Sequence, residues 1–126
     1  MTRRGGYVGW ALPEAERARL LALFPARYAR TVAHHVTLAH GVGARHPLPT
    51  EREGTITGLA DDGVGVQALV VAIAGTTDRP GGGTYHVTWS LGPGRRAVES
   101  NAVIARLGWS PVEPVAVRLE PRFFPF

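Results

Sequence analysis

Cysteine and lysine are both absent from this 126-residue chain. The missing cysteine excludes disulfides, a thiolate nucleophile and Cys-ligated zinc, while leaving the compartment open, since a protein in any compartment can do without the residue. The missing lysine makes all 14 basic residues arginine, against ten acids and a net charge of +4. Arginine is the residue suited to two-pronged contact with phosphate. The bias, seen beside abundant Ala, Gly and Pro, is accounted for most simply by genomic base composition, so charge alone says little about nucleic acid. Long hydrophobic runs are also lacking. No apolar stretch reaches the roughly 20 residues that span a bilayer, and no hydrophobic signal core follows Arg3 and Arg4. A soluble, cytoplasmic protein without a membrane segment is expected. The 44% apolar content and the length fit one domain over residues 1–126.

What is present twice is His-Val-Thr, as His35-Val36-Thr37 and His86-Val87-Thr88. Each copy lies in an apolar run with strand-like alternation. Side chains two apart on a strand share a face, so each copy offers an imidazole and a hydroxyl side by side while its Val points into packing. Two such strands brought together place two imidazoles and two hydroxyls in one cleft, sufficient for acid–base work on a phosphoryl group without a metal.

The surrounding pattern predicts a strand over residues 6–12 and a helix to about Phe24. Pro13 and Glu14 suit its first turn, and Pro25 blocks its continuation. The first motif strand covers 31–39, followed by a loop over 41–49. Residues 53–59 and 64–74 form a hairpin around Asp61-Asp62-Gly63. The glycine-rich stretch 75–83 lacks the Lys-Ser/Thr ending of a phosphate loop and precedes a strand, so it is expected to be a flexible connection. The second motif strand covers 85–91, with Thr88 and Ser90 sharing the His86 face and Tyr85, Val87, Trp89 and Leu91 opposite. A helix over 98–107, ended by Gly108, and a last strand over 112–119 complete the chain. The order approaches an internal duplication and predicts a two-lobed α+β domain with pseudo-twofold lobes and a central cleft.

These features resemble the 2H phosphoesterase superfamily of LigT-like proteins and RNA 2′,3′-cyclic phosphodiesterases. Gly6-Tyr7-Val8-Gly9, the helix ending at Phe24-Pro25, the segment Ala33-His34-His35-Val36-Thr37-Leu38, and His86-Val87-Thr88 followed by Glu99-Ser100-Asn101 are similar to the cyclic phosphodiesterase domain of fungal-type tRNA ligases. The resemblance covers most of the chain, which is short for the superfamily. It implies a monomeric enzyme of RNA repair or tRNA processing without cofactor or metal. Its substrate would be an RNA or nucleotide ending in a cyclic phosphate, opened to a 2′-phosphate, beside a separately encoded RNA ligase or kinase. By the same resemblance His86 would activate water, His35 would protonate the departing O3′, and Thr37 and Thr88 would hold the phosphate. Alternatives are a non-catalytic module binding nucleotide or RNA phosphate, or a hydrolase of a cyclic oligonucleotide or an ADP-ribose cyclic phosphate.

Other candidates carry less. Strict alternation puts His34 on the face opposite His35, as a packed or hydrogen-bonded residue. His40 and His46 with His35 fit no known metal-ligand spacing. Tyr7 or Trp10 is the better candidate to stack on a base, Trp89 belonging to the core. Arg45 and Arg95-Arg96 lie near the motifs and are candidates for phosphate contact, and Ser90 for substrate contact. Ser100-Asn101 suits the start of a helix.

Overall fold

A computed structural model describes residues 5–126, and the expected lack of a signal core at the N-terminus falls in part outside them. Among the described residues the chain forms eight strands and two helices: β1 (Gly6–Ala11), α1 (Glu14–Leu23), β2 (Arg30–Thr31), β3 (His35–Val42), β4 (Glu53–Asp61), β5 (Val66–Ala72), β6 (His86–Leu91), α2 (Glu99–Leu107), β7 (Ser110–Arg118) and β8 (Glu120–Pro125). The fold is α+β with two antiparallel sheets, ordered β3-β1-β8 and β2-β6-β5-β4-β7. No helix among the described residues is long and apolar enough to cross a membrane.

The main core joins the two sheets. Trp10 and Val36 from the three-stranded sheet meet Leu69, Val87 and Trp89 from the five-stranded one, and Leu20 of α1 fills the same cluster. Both buried indoles keep their N–H satisfied, Trp10 Nε1 donating to the Glu51 carbonyl at 2.8 Å and Trp89 Nε1 to that of Phe24 at 2.6 Å. Helix α2 covers the other face of the five-stranded sheet, Ile104 packing on Ala60, Ala68 and Val70. Asp62, in the β4–β5 turn, ties this layer down. Its Oδ1 accepts the backbone N–H groups of Val64, Gly65 and Val66, and its Oδ2 accepts Arg95, which also pairs with Glu99 of α2. Burial pushes the Asp62 carboxyl up, but those donors outweigh it and hold the group down to about 2.

Three expectations need correction. The predicted strand 31–39 is broken at Ala33, whose φ of 44° lies in the left-handed region. Its first piece, β2, pairs with β6, and the second, β3, pairs with β1, so this short link passes the chain from one sheet to the other. The last strand is not the one over 112–119, because Glu120-Pro121-Arg122-Phe123-Phe124-Pro125 adds β8 along β1. The stretch 75–83 is a closed turn rather than a slack connection. Arg79 and Gly83 are bonded through their backbones, and Asp78 bridges to Thr84.

Candidate active site

Two departures from plain alternation decide which side chains reach the cleft. In β6, Gln67 faces Ser90 but Ala68 faces Thr88, so Trp89 is an extra residue and the strand carries a bulge. Before the bulge, His86 and Thr88 share the α2 side. Beyond it the faces exchange. Leu91 packs with Val66 and Val103 on the helix side, and Ser90 turns inward. Fully buried Ser90 donates to Gln67 Oε1 and accepts the backbone N–H groups of Arg27 and Tyr28, which places it away from the cleft expected for it. In β3 the register skips Leu38, with Thr37 opposite Gly9 and Ala39 opposite Val8. That shift brings His40, three residues past Thr37, onto the same face as His35 and Thr37, opposite Tyr7 of β1. Gly9 makes this close pairing feasible, since a Cβ there would lie 2.0 Å from the Val36 carbonyl oxygen.

The link between the sheets holds the two motif strands against each other. Val32 and Ala33 donate backbone N–H groups to the Trp89 and Thr88 carbonyls, while the His34 carbonyl accepts from Leu12. Arg17 of α1 pins the bend by donating its Nε to the Ala33 carbonyl at 3.0 Å. Strands β3 and β6 thereby pack together across the sheet boundary. A cavity of about 340 Å³ opens between them, lined by His35, Thr37 and His40 of β3, Tyr7 of β1, His86 and Thr88 of β6, Arg79, and the start of α2 with Asn101. Both His-Val-Thr motifs thus face one space. The lining includes several histidines and one arginine but no carboxylate among the described residues.

The two imidazoles sit differently. His86 lies 2.8 Å through Nδ1 from the Thr84 carbonyl, an acceptor only, so Nδ1 carries the proton and Nε2 is a free lone pair. Burial pushes the His86 pKa down; its bond to Thr84 opposes this and the Arg79 charge adds to it. His35 instead meets another imidazole, its Nδ1 2.9 Å from Nδ1 of His34. The bend at Ala33 sets His34 outside the strand, where alternation does not govern it, so His34 touches His35 rather than lying on the opposite face. Burial, then the neighbouring His34 and His86 charges, pushes the His35 pKa down to about 4. Tyr7 packs on His35 with ring centroids 4.9 Å apart and is itself stacked on Phe124 of β8 at 4.8 Å.

The threonines differ as well. Thr37 lines the cavity from half-buried β3. The Thr88 hydroxyl is 2.8 Å from Ser100 Oγ and donates to the Ala97 carbonyl at 3.2 Å, which fastens the start of α2 beside His86. Ser100 is therefore a structural partner of the second motif, and its neighbour Asn101 reaches the cavity.

Arg79 was not singled out in the sequence. The turn of residues 79–83 brings its guanidinium over Gly83, where a Cβ would lie 2.7 Å from Nη2. From there Nε donates to the Gly82 carbonyl and Nη2 to Asn101 Oδ1 at 3.3 Å. None of the ion pairs among the described residues includes Arg79. The available signal was an arginine beside a glycine run just ahead of the second motif. The arginines that were singled out lie elsewhere: Arg45 is on an exposed loop outside the cavity, and Arg95 is spent on Asp62 and Glu99. His46 is exposed and near the Pro47 carbonyl, and no cluster of three or more His, Asp or Glu side chains among the described residues is arranged to hold a metal ion. Trp10 is buried in the core rather than offered to a ligand.

Comparison of the chain with family models, with curated proteins and with solved structures finds no match.

Proposed function

We propose that this chain is a metal-independent phosphodiesterase of the 2H type, which adds water across the P–O3′ bond of a 2′,3′-cyclic phosphate on an RNA end or nucleotide. The observation that carries the reading is the meeting of both His-Val-Thr motifs in one cavity with an arginine and no carboxylate, a setting made for an anion. In this reading the sheets carrying β3 and β6 are the two lobes of a 2H fold, unequal in strand number.

The roles follow from the ring nitrogens. His86, held with Nδ1–H on Thr84, turns a basic Nε2 to the attacking water. His35 delivers a proton from Nε2 to O3′ as the bond breaks, leaving a 2′-phosphate. Thr37 donates to a non-bridging oxygen, while Thr88 holds α2 and the phosphate end of the cleft together. Arg79 balances the negative charge that gathers around phosphorus in the transition state. Tyr7, backed by Phe124, forms an aromatic wall beside His35. A cavity of this size takes one nucleotide, which suits action on a terminal residue. A separately encoded ligase or kinase would use the opened end.

The test is incubation of EDTA-treated protein with the four nucleoside 2′,3′-cyclic phosphates and a short RNA ending in one, separating 2′- from 3′-phosphate products. Conversion to the 2′-phosphate is expected. Binding without turnover would instead make the chain a phosphate-recognition module, and turnover of only a cyclic oligonucleotide or an ADP-ribose cyclic phosphate would change the substrate while keeping the site.

A further inference from the structure

His34 lies between the cleft residue His35 and the outer surface. It is exposed, and with Val32 and Ala33 it lines a second hollow of about 510 Å³ that shares Val32 with the cavity. Its Nδ1 nevertheless reaches inward to His35 Nδ1 at 2.9 Å, with the rings edge to face. A hydrogen bond between two such nitrogens requires one to carry the proton and the other to accept it.

We propose that His34 is a positioning residue for His35: its Nδ1–H, donated to His35 Nδ1, keeps the His35 proton on Nε2 at the cleft and passes to His35 Nδ1 as Nε2 gives up its own, a proton from solvent following onto His34. The direction of the bond follows from which nitrogen is left for the cleft: His34 occupies His35 Nδ1, so Nε2 is the nitrogen of His35 that can hold a proton for the leaving group, and His34 Nδ1 must be the donor. Depression of the His35 pKa agrees with this, since His35 enters the reaction as a neutral imidazole. The opposite direction would leave both motif histidines with bare Nε2 atoms and no proton for the leaving group. The second motif needs no counterpart, because a carbonyl fixes His86 in the complementary tautomer.

The inference rests on the phosphodiesterase reading for its catalytic part, and the step balances. Water attacks phosphorus and gives a proton to His86 Nε2. The P–O3′ bond breaks, O3′ takes the Nε2 proton of His35, and His35 Nδ1 takes the Nδ1 proton of His34, whose Nε2 takes one from solvent. Both histidines of the pair end neutral, His34 with its proton on Nε2. Passage of the His86 proton through cleft water to His35 Nε2, return of the shared proton to His34 Nδ1 and loss of the His34 Nε2 proton to solvent restore the start.

The charges around the pair are few and opposed. In the hollow, Glu14 and Arg17 of α1 and Glu120 and Arg122 of β8 balance one another, Arg122 pairing with Glu120 at 2.8 Å. In the cleft the titratable and charged neighbours are Tyr7, His40, His86 and Arg79. No carboxylate among the described residues therefore competes as the proton source inside the cavity.

The test reads the tautomer directly, by long-range proton–nitrogen correlation spectra of the labelled full chain near neutral pH without substrate. The wild type should carry the His35 proton on Nε2, and His34→Ala should move part of it to Nδ1. His34→Gln keeps an N–H donor and should restore Nε2–H. In turnover, His34→Ala and His34→Gln should both lose kcat on the order of 10²-fold at unchanged KM, because neither can relay a proton. A wild-type His35 protonated on Nδ1, or a tautomer and kcat unmoved in His34→Ala, would overturn the proposal. If no cyclic phosphate is turned over, the phosphodiesterase reading fails, and the spectra still decide whether His34 orients His35.

Discussion

The same three residues, His-Val-Thr, occupy β3 and β6 and are put to different use. On β6 the motif is locked: His86 is held by a backbone carbonyl and Thr88 is bonded to Ser100 at the start of α2. On β3 it is more open: His35 is held only by another side chain, exposed His34, and Thr37 lines the cavity. Only the valines are alike, both buried in one core cluster. The difference teaches that a tripeptide specifies which groups arrive at a site, while the partners of Nδ1 set two identical imidazoles apart, as base and acid in the proposed reaction.

The comparison can be broken in order of expected effect. His86→Ala should lower turnover of a cyclic phosphate by about 10³-fold, with a comparable loss for His35→Ala, measured as initial rates of 2′-phosphate formation. Equal residual activity to wild type in either would end the assignment of roles.

Gly9→Ala attacks the β3 copy through its neighbour. The added Cβ would collide with the Val36 carbonyl oxygen, so the β1–β3 register must shift. A loss of about 3 kcal/mol in denaturant unfolding is expected, with turnover falling in the remaining folded protein.

Acid should also separate the copies. Both imidazoles are disfavoured as cations in the fold, so the unfolded chain binds more protons as pH falls below the ordinary histidine value of 6.5. Stability is therefore lost as pH falls from 6.5 toward the His35 value of about 4, and that loss levels off below it. For His35 it reaches at most about 3 kcal/mol. Unfolding curves of His35→Gln across this window should slope less steeply than those of the wild type; parallel curves would mean that His35 is not held neutral.

The smallest effect distinguishes the threonines. Thr88→Ala should cost about 1 kcal/mol of stability because it strips the bond to Ser100, whereas Thr37→Ala should leave stability nearly unchanged and act on turnover. Thermal melting of the two variants side by side measures the contrast.

Much of this frame was legible in the residues. Pro13 and Pro25 bracket α1, the β4–β5 hairpin turns at its aspartates, and the two motif strands are found with their valines inward. What escaped has physical causes. Strand β8 holds Pro121 and Pro125, which argue against a strand until it is seen to be an edge, where a missing N–H costs little. Ser90 was assigned to the cleft by strict alternation, and the bulge at Trp89 reverses the faces beyond it. His34 was assigned to the opposite face by the same rule, but the left-handed backbone at Ala33 ends the strand just before it. Arg79 depends on a contact with Asn101, 22 residues away, that no local pattern encodes.

The most direct measurement of the central claim compares His35→Ala and His86→Ala on two substrates, a nucleoside 2′,3′-cyclic phosphate and an aryl phosphodiester such as bis(p-nitrophenyl) phosphate. The aryl leaving group departs without a proton, so it needs a base but no acid. The account predicts that His86→Ala loses both activities and that His35→Ala loses the first while keeping most of the second. Equal losses by the two variants on the aryl substrate, or cyclic phosphate turnover that survives both substitutions, would contradict it.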